Sequence, residues 1–318
     1  MHAGPFLMKA LAVDLGGTHA GCGVVEDSRI LAHESLDTAR AKNLAAFLPK
    51  ISEVLLSLVK RSGLALQDFS GIAVGMPCIV DSRAMRPLAT HGKYDDAMEI
   101  DLIAWSRKEF GLPLRLENDA RMALLGECFG GAAQRYSDVI MMTLGTGIGG
   151  VVMMEGKLIR GKHFQAGCLG GHIPVLFNGR RCTCGNVGCA EAEASGDSLT
   201  AVANAWPGVS ESSLAKHPNF GFKELFTEAA AGDRVATEVR DRCLKIWAAD
   251  AVAMIHAYDP ELLVIGGGVM KSAEVILPAI EAHVHKHAWT PWGKVQVRAA
   301  ELGNNAALLG AVPLLSEA

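Results

Sequence analysis

No stretch of this sequence is long and apolar enough to serve as a membrane helix. The most apolar uncharged run, residues 139–154, has sixteen residues, four of them glycine, whereas a span needs about twenty apolar residues. An excess of either charge is also missing. The 30 Lys and Arg stand against 34 Asp and Glu, a net −4, so neither nucleic acid nor an anionic membrane is an expected partner. No export signal is visible or expected, the seven residues before Met8 being too few for one, and they read as a loose extension ahead of the first strand. The chain is therefore expected in the cytoplasm, where its eight cysteines stay reduced rather than forming a disulfide framework. A Walker loop, Gly-Lys-Ser/Thr opening a helix, is absent as well. The glycine run Gly145–Gly150 returns as a strand and lacks the helix that a dinucleotide fingerprint opens.

What is present is material for large cores. Half of the 318 residues are hydrophobic and a fifth are charged, and the length suggests about two domains. Lys9–Asp14 reads as a buried strand that turns through Leu15-Gly16-Gly17-Thr18 into a second strand ending near Val25. Apolar residues recur at helical spacing from Asn43 to Leu66. Gly71–Gly75 is a short strand, Asp101–Phe110 a helix, and Leu114–Leu116 a strand leading to Glu117-Asn118-Asp119 and a helix from Ala120 to Phe129. This alternation predicts a layered α/β domain. The pattern then echoes itself. Asp138–Thr143 is a strand, Leu144–Gly150 a glycine-rich turn and Val151–Met154 a returning strand, with Glu155-Gly156-Lys157 as a further turn. Helices are expected over Lys223–Ala231, Arg234–Tyr258 and Val275–His287, with strands at Leu262–Ile265 and Val295–Val297 and one apolar helix over Asn305–Leu315. Two related domains facing a cleft that closes on substrate are the expected organisation.

The chain's densest chemistry lies between these halves. His172, Cys182, Cys184 and Cys189 are separated by nine, one and four residues. One imidazole and three thiols at this spacing fit a closed tetrahedral zinc site, structural rather than catalytic. Gly185 and Gly188 mark sharp bends inside the loop, which has too few apolar residues to fold without the metal. The other five cysteines, Cys22, Cys78, Cys128, Cys168 and Cys243, read mostly as small buried apolar residues. The run Gly-His, nine residues, Cys-x-Cys-Gly-x-x-Gly-Cys-x-Glu resembles the signature of the ROK family of bacterial sugar kinases and sugar-responsive repressors, and the resemblance extends from Asp14 to the last helix.

That resemblance implies two actin-like ATPase (ribonuclease H-like) domains around a central cleft, residues 8–122 plus 303–318 and residues 123–302, the second carrying the zinc loop. Each glycine turn taken alone is either an ordinary tight hairpin or a cradle of N–H groups for phosphate. The pair Asp14-x-Gly16-Gly17-Thr18 and Thr143-x-Gly145-Thr146-Gly147 looks like the two phosphate motifs of that fold, with Gly266-Gly267-Gly268 against the adenosine. Asp14 suits a magnesium ion or simply caps its turn. Asn118 and Asp119 suit either a helix cap or a sugar ligand and a general base. The family pattern favours the second, with Asp119 as the catalytic residue and His172 and Glu191 also taking sugar hydroxyls. Glu193 reads as a plain solvated acid. The implied activity is transfer of the γ-phosphate of ATP, with Mg2+, to a hydroxyl of a hexose or N-acetylhexosamine by a homodimer holding structural zinc.

Two departures stand out. Family kinases read Gly-Glu-x-Gly-His, where this chain has Gly167-Cys168-Leu169-Gly170-Gly171-His172, and Cys78 follows Pro77 where many members carry glycine. Losing a carboxylate from a hydroxyl-rich site changes binding and admits an inactive sugar-binding protein as the alternative. A repressor would need a helix-turn-helix, and with only seven residues before Met8 and no basic helix among them this reading is not expected.

Overall fold

The computed structural model describes residues 7–16, 19–38, 43–90 and 93–317. Gly17 and Thr18, two of the candidate phosphate-binding residues, lie outside them. The chain divides into two compact units, Met1–Arg135 with Arg160–Ala166 and Glu301–Ala318, and Tyr136–Ile159 with Gly167–Ala300.

The first unit opens with β1 (Lys9–Leu15), whose residues Ala10–Val13 are fully buried and correspondingly apolar. It pairs antiparallel with β2 (His19–Glu26), which pairs with β3 (Arg29–Asp37). β3 has no clear signal in the sequence because polar residues interleave along this half-solvated edge strand. Helix α1 (Leu44–Arg61) buries Leu44, Leu48, Ile51, Leu55 and Leu58. Its first N–H groups, on Leu44 and Ala45, donate to the Asp96 carboxylate at 2.7 and 2.9 Å. It stops short of the expected Leu66 because Gly63, at φ +71°, turns the chain out of the helix. β4 (Gly71–Met76) follows, then a small hairpin of β5 (Ile79–Asp81) and β6 (Arg86–Ala89) absent from the sequence reading. Helix α2 (Leu102–Phe110) is capped by Asp101, which accepts the Ala104 N–H at 2.8 Å, and ends at Gly111 in the left-handed region. β7 (Leu114–Asn118) runs directly into α3 (Asp119–Gly130). The sheet order is β3-β2-β1-β4-β7, with β1, β4 and β7 parallel.

The second unit repeats this scheme with different connections. β8 (Val139–Leu144), β9 (Ile148–Met154) and the two-residue β10 (Lys157–Leu158) form an antiparallel meander. The first turn is tighter than expected: Ile148, Gly149 and Gly150 already belong to β9. After the cysteine loop come α4 (Ala190–Ala194), α5 (Gly196–Asn204), α6 (Phe222–Ala230) and the long α7 (Arg234–Tyr258). β11 (Leu262–Gly266), α8 (Ala273–His287) and β12 (Gln296–Ala299) complete the order β10-β9-β8-β11-β12, with β8, β11 and β12 parallel. Trp247 is fully buried in this core and donates its indole N–H to the Ala194 carbonyl at 2.9 Å, so its one polar atom is satisfied.

The chain returns to the first unit at Glu301. The expected single C-terminal helix is two, α9 (Ala306–Leu309) and α10 (Ala311–Ser316), broken at Gly310. Pro313 has no N–H to donate to Leu309, so the i→i−4 ladder is interrupted there. Gly126 and Gly310 let these segments lie backbone-to-backbone on α3. A Cβ on Gly126 would stand 1.9 Å from the Ala306 oxygen, and one on Gly310 1.9 Å from the Met122 oxygen. Glu127 of α3, fully buried, accepts the N–H groups of Ala132, Glu301 and Leu302 at 2.8, 3.2 and 2.9 Å. One carboxylate therefore pins both the departure and the return of the chain.

Candidate active site and metal centre

In the first unit, strand register gathers the carboxylates that the sequence lists far apart. Asp14 of β1 stands opposite Gly75 of β4, and Gly75 and Met76 stand opposite Glu117 and Asn118 of β7. All three parallel strands end here, the usual ligand-binding edge of such a sheet. A Cβ on Gly75 would lie 3.6 Å from Asp14 Oδ1 and 3.3 Å from Asp119 Cα, so only a glycine's width separates the two acids. Burial first, and the charge of Asp119 second, push the Asp14 carboxyl from 3.8 up to about 7. Burial also raises Asp119, against the hydrogen bonds it accepts. Its Oδ1 takes the Ala120 N–H at 2.8 Å and an Asn118 amide N–H at 3.0 Å. Asn118 does cap α3, its Oδ1 accepting the Arg121 N–H at 3.2 Å, while its Nδ2 also donates to the Cys78 carbonyl at 3.2 Å. The cap thus fixes the direction of Asp119 and is compatible with a chemical role. The Cys78 thiol beside it is pushed up to about 12 by burial and by Asp119, so it stays protonated.

Gly16 begins the first turn, its N–H bonded to the His19 carbonyl at 2.9 Å. Its own carbonyl accepts the hydroxyls of Thr38 and Tyr94 at 3.4 and 3.3 Å. Lys93, unassigned from sequence, donates to Thr38 Oγ1 and O at 2.9 and 3.1 Å. A cation is thereby brought beside the turn, with burial lowering its pKa. Nothing local marks Lys93 in the sequence; only the packing of Thr38 and Tyr94 around Gly16 reveals it.

In the second unit, Thr143 of β8 stands opposite Gly266 of β11, and Gly145-Thr146-Gly147 forms the tight turn into β9. The N-terminus of α5 docks on that turn, Gly196 and Asp197 donating to the carbonyls of Gly145 and Thr146 at 2.9 and 3.0 Å. Gly267 is at φ +94°, and a Cβ there would meet the Leu144 carbonyl at 2.3 Å, so this position needs glycine. Gly145, Thr146 and Gly268 border a cavity of ≈ 970 Å³ that Phe222, Lys223 and Lys271 also line, within the range of small-molecule sites.

His172, Cys182, Cys184 and Cys189 converge, their ligand atoms all within 4.8 Å of one another. His172 Nδ1 lies 3.5 Å from Cys182 Sγ, and Cys184 Sγ lies 3.7 Å from Cys189 Sγ. A tetrahedron with metal–sulfur bonds of about 2.3 Å has edges of about 3.7 Å, so the donor set fits zinc. Gly185 and Gly188 both take positive φ, +93° and +73°, as the spacing suggested. A Cβ on Gly171, just before His172, would stand 2.0 Å from the Ile148 carbonyl, so the extra glycine presses the loop onto β9. Of Cys168 and Leu169, the residues standing where the family glutamate is expected, Leu169 is exposed and Cys168 half-buried. Among the remaining cysteines Cys22 and Cys243 are buried as expected, whereas Cys78 and Cys128 are only half-buried.

Glu191 Oε2 accepts the Ile148 N–H at 3.0 Å, and Oε1 lies 3.9 Å from His172 Nδ1. It therefore bridges the second glycine turn and the metal loop. Glu193 is not solvated. It is buried and accepts the Arg180 N–H and the Arg242 guanidinium, while Arg242 Nη1 also donates to the Glu193 carbonyl at 2.6 Å. The helical turn of α4 swings it inward, a fact its acidic neighbours in sequence conceal.

No helix among the described residues is long and apolar enough to cross a membrane. A family profile described as "ROK family" matches residues 10–318. A glucokinase of Thermotoga maritima is 30% identical across 98% of either chain. An N-acetylmannosamine kinase of Haemophilus influenzae is 27% identical over 96% of this chain and 94% of its own. A Streptomyces griseus ROK family glucokinase, solved with glucose and AMPPNP, superposes with a TM-score of 0.78 at 30% identity, covering 98% of this chain and 100% of that one.

Proposed function

The chain belongs to the ROK family, and from that footing we propose that this carbohydrate kinase transfers the γ-phosphoryl group of ATP to the 6-hydroxyl of a hexose or N-acetylhexosamine. The observation that carries the reading is the pair of half-buried acids, Asp14 and Asp119, one glycine apart at the ends of parallel strands. Two carboxylates with raised pKa in one spot are a poor way to stabilise a fold and a good way to handle a cation and a proton.

In this reading the attacking hydroxyl donates its proton to Asp119, whose raised pKa makes it a stronger base than a solvated aspartate. Asn118, His172 and Glu191 orient the sugar. Gly16, Gly17 and Thr18 from one turn and Thr143, Gly145, Thr146 and Gly147 from the other donate hydrogen bonds to the phosphates. Gly266, Gly267 and Gly268 flank the adenosine beside the ≈ 970 Å³ cavity. Asp14 is the residue to hold Mg2+, a hard cation that suits carboxylate oxygen and neutralises phosphate charge when bound. His172, Cys182, Cys184 and Cys189 hold zinc, which orients the imidazole without entering the reaction. The chain acts as a homodimer.

The loss of the family glutamate falls on acceptor choice, because it leaves the acids and the turns intact. The same loss motivates an inactive sugar-binding protein as second reading. A coupled ADP-release assay with Mg-ATP over glucose, mannose, fructose, allose, N-acetylglucosamine and N-acetylmannosamine separates the two. Turnover of any sugar supports the kinase, and none at all supports the binding protein.

A further inference from the structure

Glu117 and Arg121 bracket the Asn118–Asp119 turn, and both are fully buried. A buried ion pair adds little net stability, because desolvation of the charges offsets their attraction. Its position is therefore more informative than its energy. Glu117 Oε1 accepts the Asn118 N–H at 2.9 Å and lies 3.4 Å from Arg121 Nη1, while Oε2 accepts from Arg160 Nε at 2.6 Å. Arg160 Nη2 donates to Glu317 Oε2 at 2.6 Å, which balances two cations with two anions. Arg121 Nη2 donates to the carbonyls of Phe164 and Ala166 at 3.1 and 2.7 Å. Arg160, Phe164 and Ala166 all belong to Arg160–Ala166, a strap that packs with Asp119's unit although the chain on both sides of it belongs to the other.

We infer that Glu117, Arg121 and Arg160 are positioning residues that lock the Asn118–Asp119 turn to this strap, so that the base holds its aim only while the strap is seated. The inference rests on Asp119 being the base proposed above. The decisive group is the Glu117 carboxylate, which holds the peptide N–H just ahead of Asp119 with one oxygen and the strap's Arg160 with the other. Arg121 closes the circuit from the far side of the turn, Nη2 holding the two carbonyls while Nη1 faces Glu117, a division between two nitrogens that the single ammonium of lysine lacks. The strap continues directly into Gly167 and the segment that carries Leu169 and His172.

Arg160 is the residue to change, because its side chain is 22% exposed and free guanidinium can enter the space it vacates. Arg160→Ala, with folding checked by thermal denaturation, should lower kcat for the best sugar by about 10²-fold, the effect of misplacing a reacting group by about 1 Å. Binding of a nonhydrolysable ATP analogue should not change. Millimolar guanidinium should restore part of the kcat of Arg160→Ala and none of that of Glu117→Gln. Amide exchange should quicken at residues 118–121 and 161–166 in Arg160→Ala. A folded Arg160→Ala protein with wild-type kcat, or with unaltered exchange at both segments, overturns the inference. If the wild-type protein phosphorylates no sugar, the kinase reading falls, and the exchange measurement still decides whether the strap locks the turn.

Discussion

Asp14-Leu15-Gly16 and Thr143-Leu144-Gly145 occupy the same place in two sheets of matching strand order. Each ends a first strand, each opens a glycine turn, and each stands opposite a glycine on the parallel neighbour, Gly75 or Gly266. The backbone frames match and the side chains do not. One unit puts a carboxylate there, raised to about 7, with a second carboxylate beside it. The other puts a hydroxyl there and adds instead, after its meander, a loop of three thiols and an imidazole. By donor chemistry the carboxylates suit a hard cation and the thiol–imidazole set a borderline-soft one. On the proposed function, each frame offers a glycine turn for phosphate, with the proton and magnesium chemistry proposed for the first unit and the metal-held loop for the second.

The sharpest way to separate the units is to remove the metal. Structural zinc contributes about 10–16 kcal/mol to small domains it folds, so a strong chelator or Cys182→Ser should release about one equivalent of zinc per chain. Protease sites should open within residues 173–189, while β1–β4 stay protected. Cys182→Ser that keeps its zinc and its sugar affinity would refute the site.

Breaking the other unit should spare its fold and abolish its chemistry. Asp119→Asn should lower kcat by about 10²–10⁴-fold, the range for a lost general base, with ATP binding nearly unchanged. If the variant turns over at near the wild-type rate, the proton goes elsewhere.

Asp14 separates stability from activity. Its carboxyl ordinarily titrates at 3.8 and in the fold at about 7, so the folded state binds the extra proton and loses stability as pH rises between these values. The loss is complete above about 7 and amounts to up to about 4 kcal/mol. Asp14→Asn should therefore match the wild type near pH 4, melt higher at pH 8, and lose both activity and stabilisation by Mg-ATP. A variant that melts lower than wild type at pH 8 would contradict the burial argument.

The smallest effects should come from the paired glycines. A methyl at Gly75 would press on Met122 Sδ and Asp119 Cα at 3.2 and 3.3 Å, whereas one at Gly266 meets only the Ala300 methyl at 3.2 Å. Gly75→Ala should cost about 1–2 kcal/mol of stability and act mainly on kcat, with Gly266→Ala acting mainly on the ATP KM. Equal effects on the same parameter would erase the distinction between the two frames.

Where the chemistry is local, the amino-acid sequence by itself determined it. Four ligands within eighteen residues must meet if the loop closes at all, so their spacing alone pointed to one metal. Helices such as Arg234–Tyr258 were legible end to end from apolar periodicity and the stop at Asp259-Pro260, and the structure adds the Asp233 cap and a left-handed Asp259. Only the tertiary structure decided what depends on register and burial. Asp14 and Asp119 stand 105 positions apart in the sequence and become neighbours because β4 inserts between β1 and β7 with a glycine at the crossing. Glu193 and Glu191 look alike in the chain, yet the half-turn of helix between them buries the first on Arg242 and leaves the second bridging Ile148 and His172. The link from Arg160 to the buried Glu117–Arg121 pair was invisible for the same reason. A charge announces its partner in sequence only when the two are a helical turn apart, and Arg160 reaches Glu117 across 43 residues.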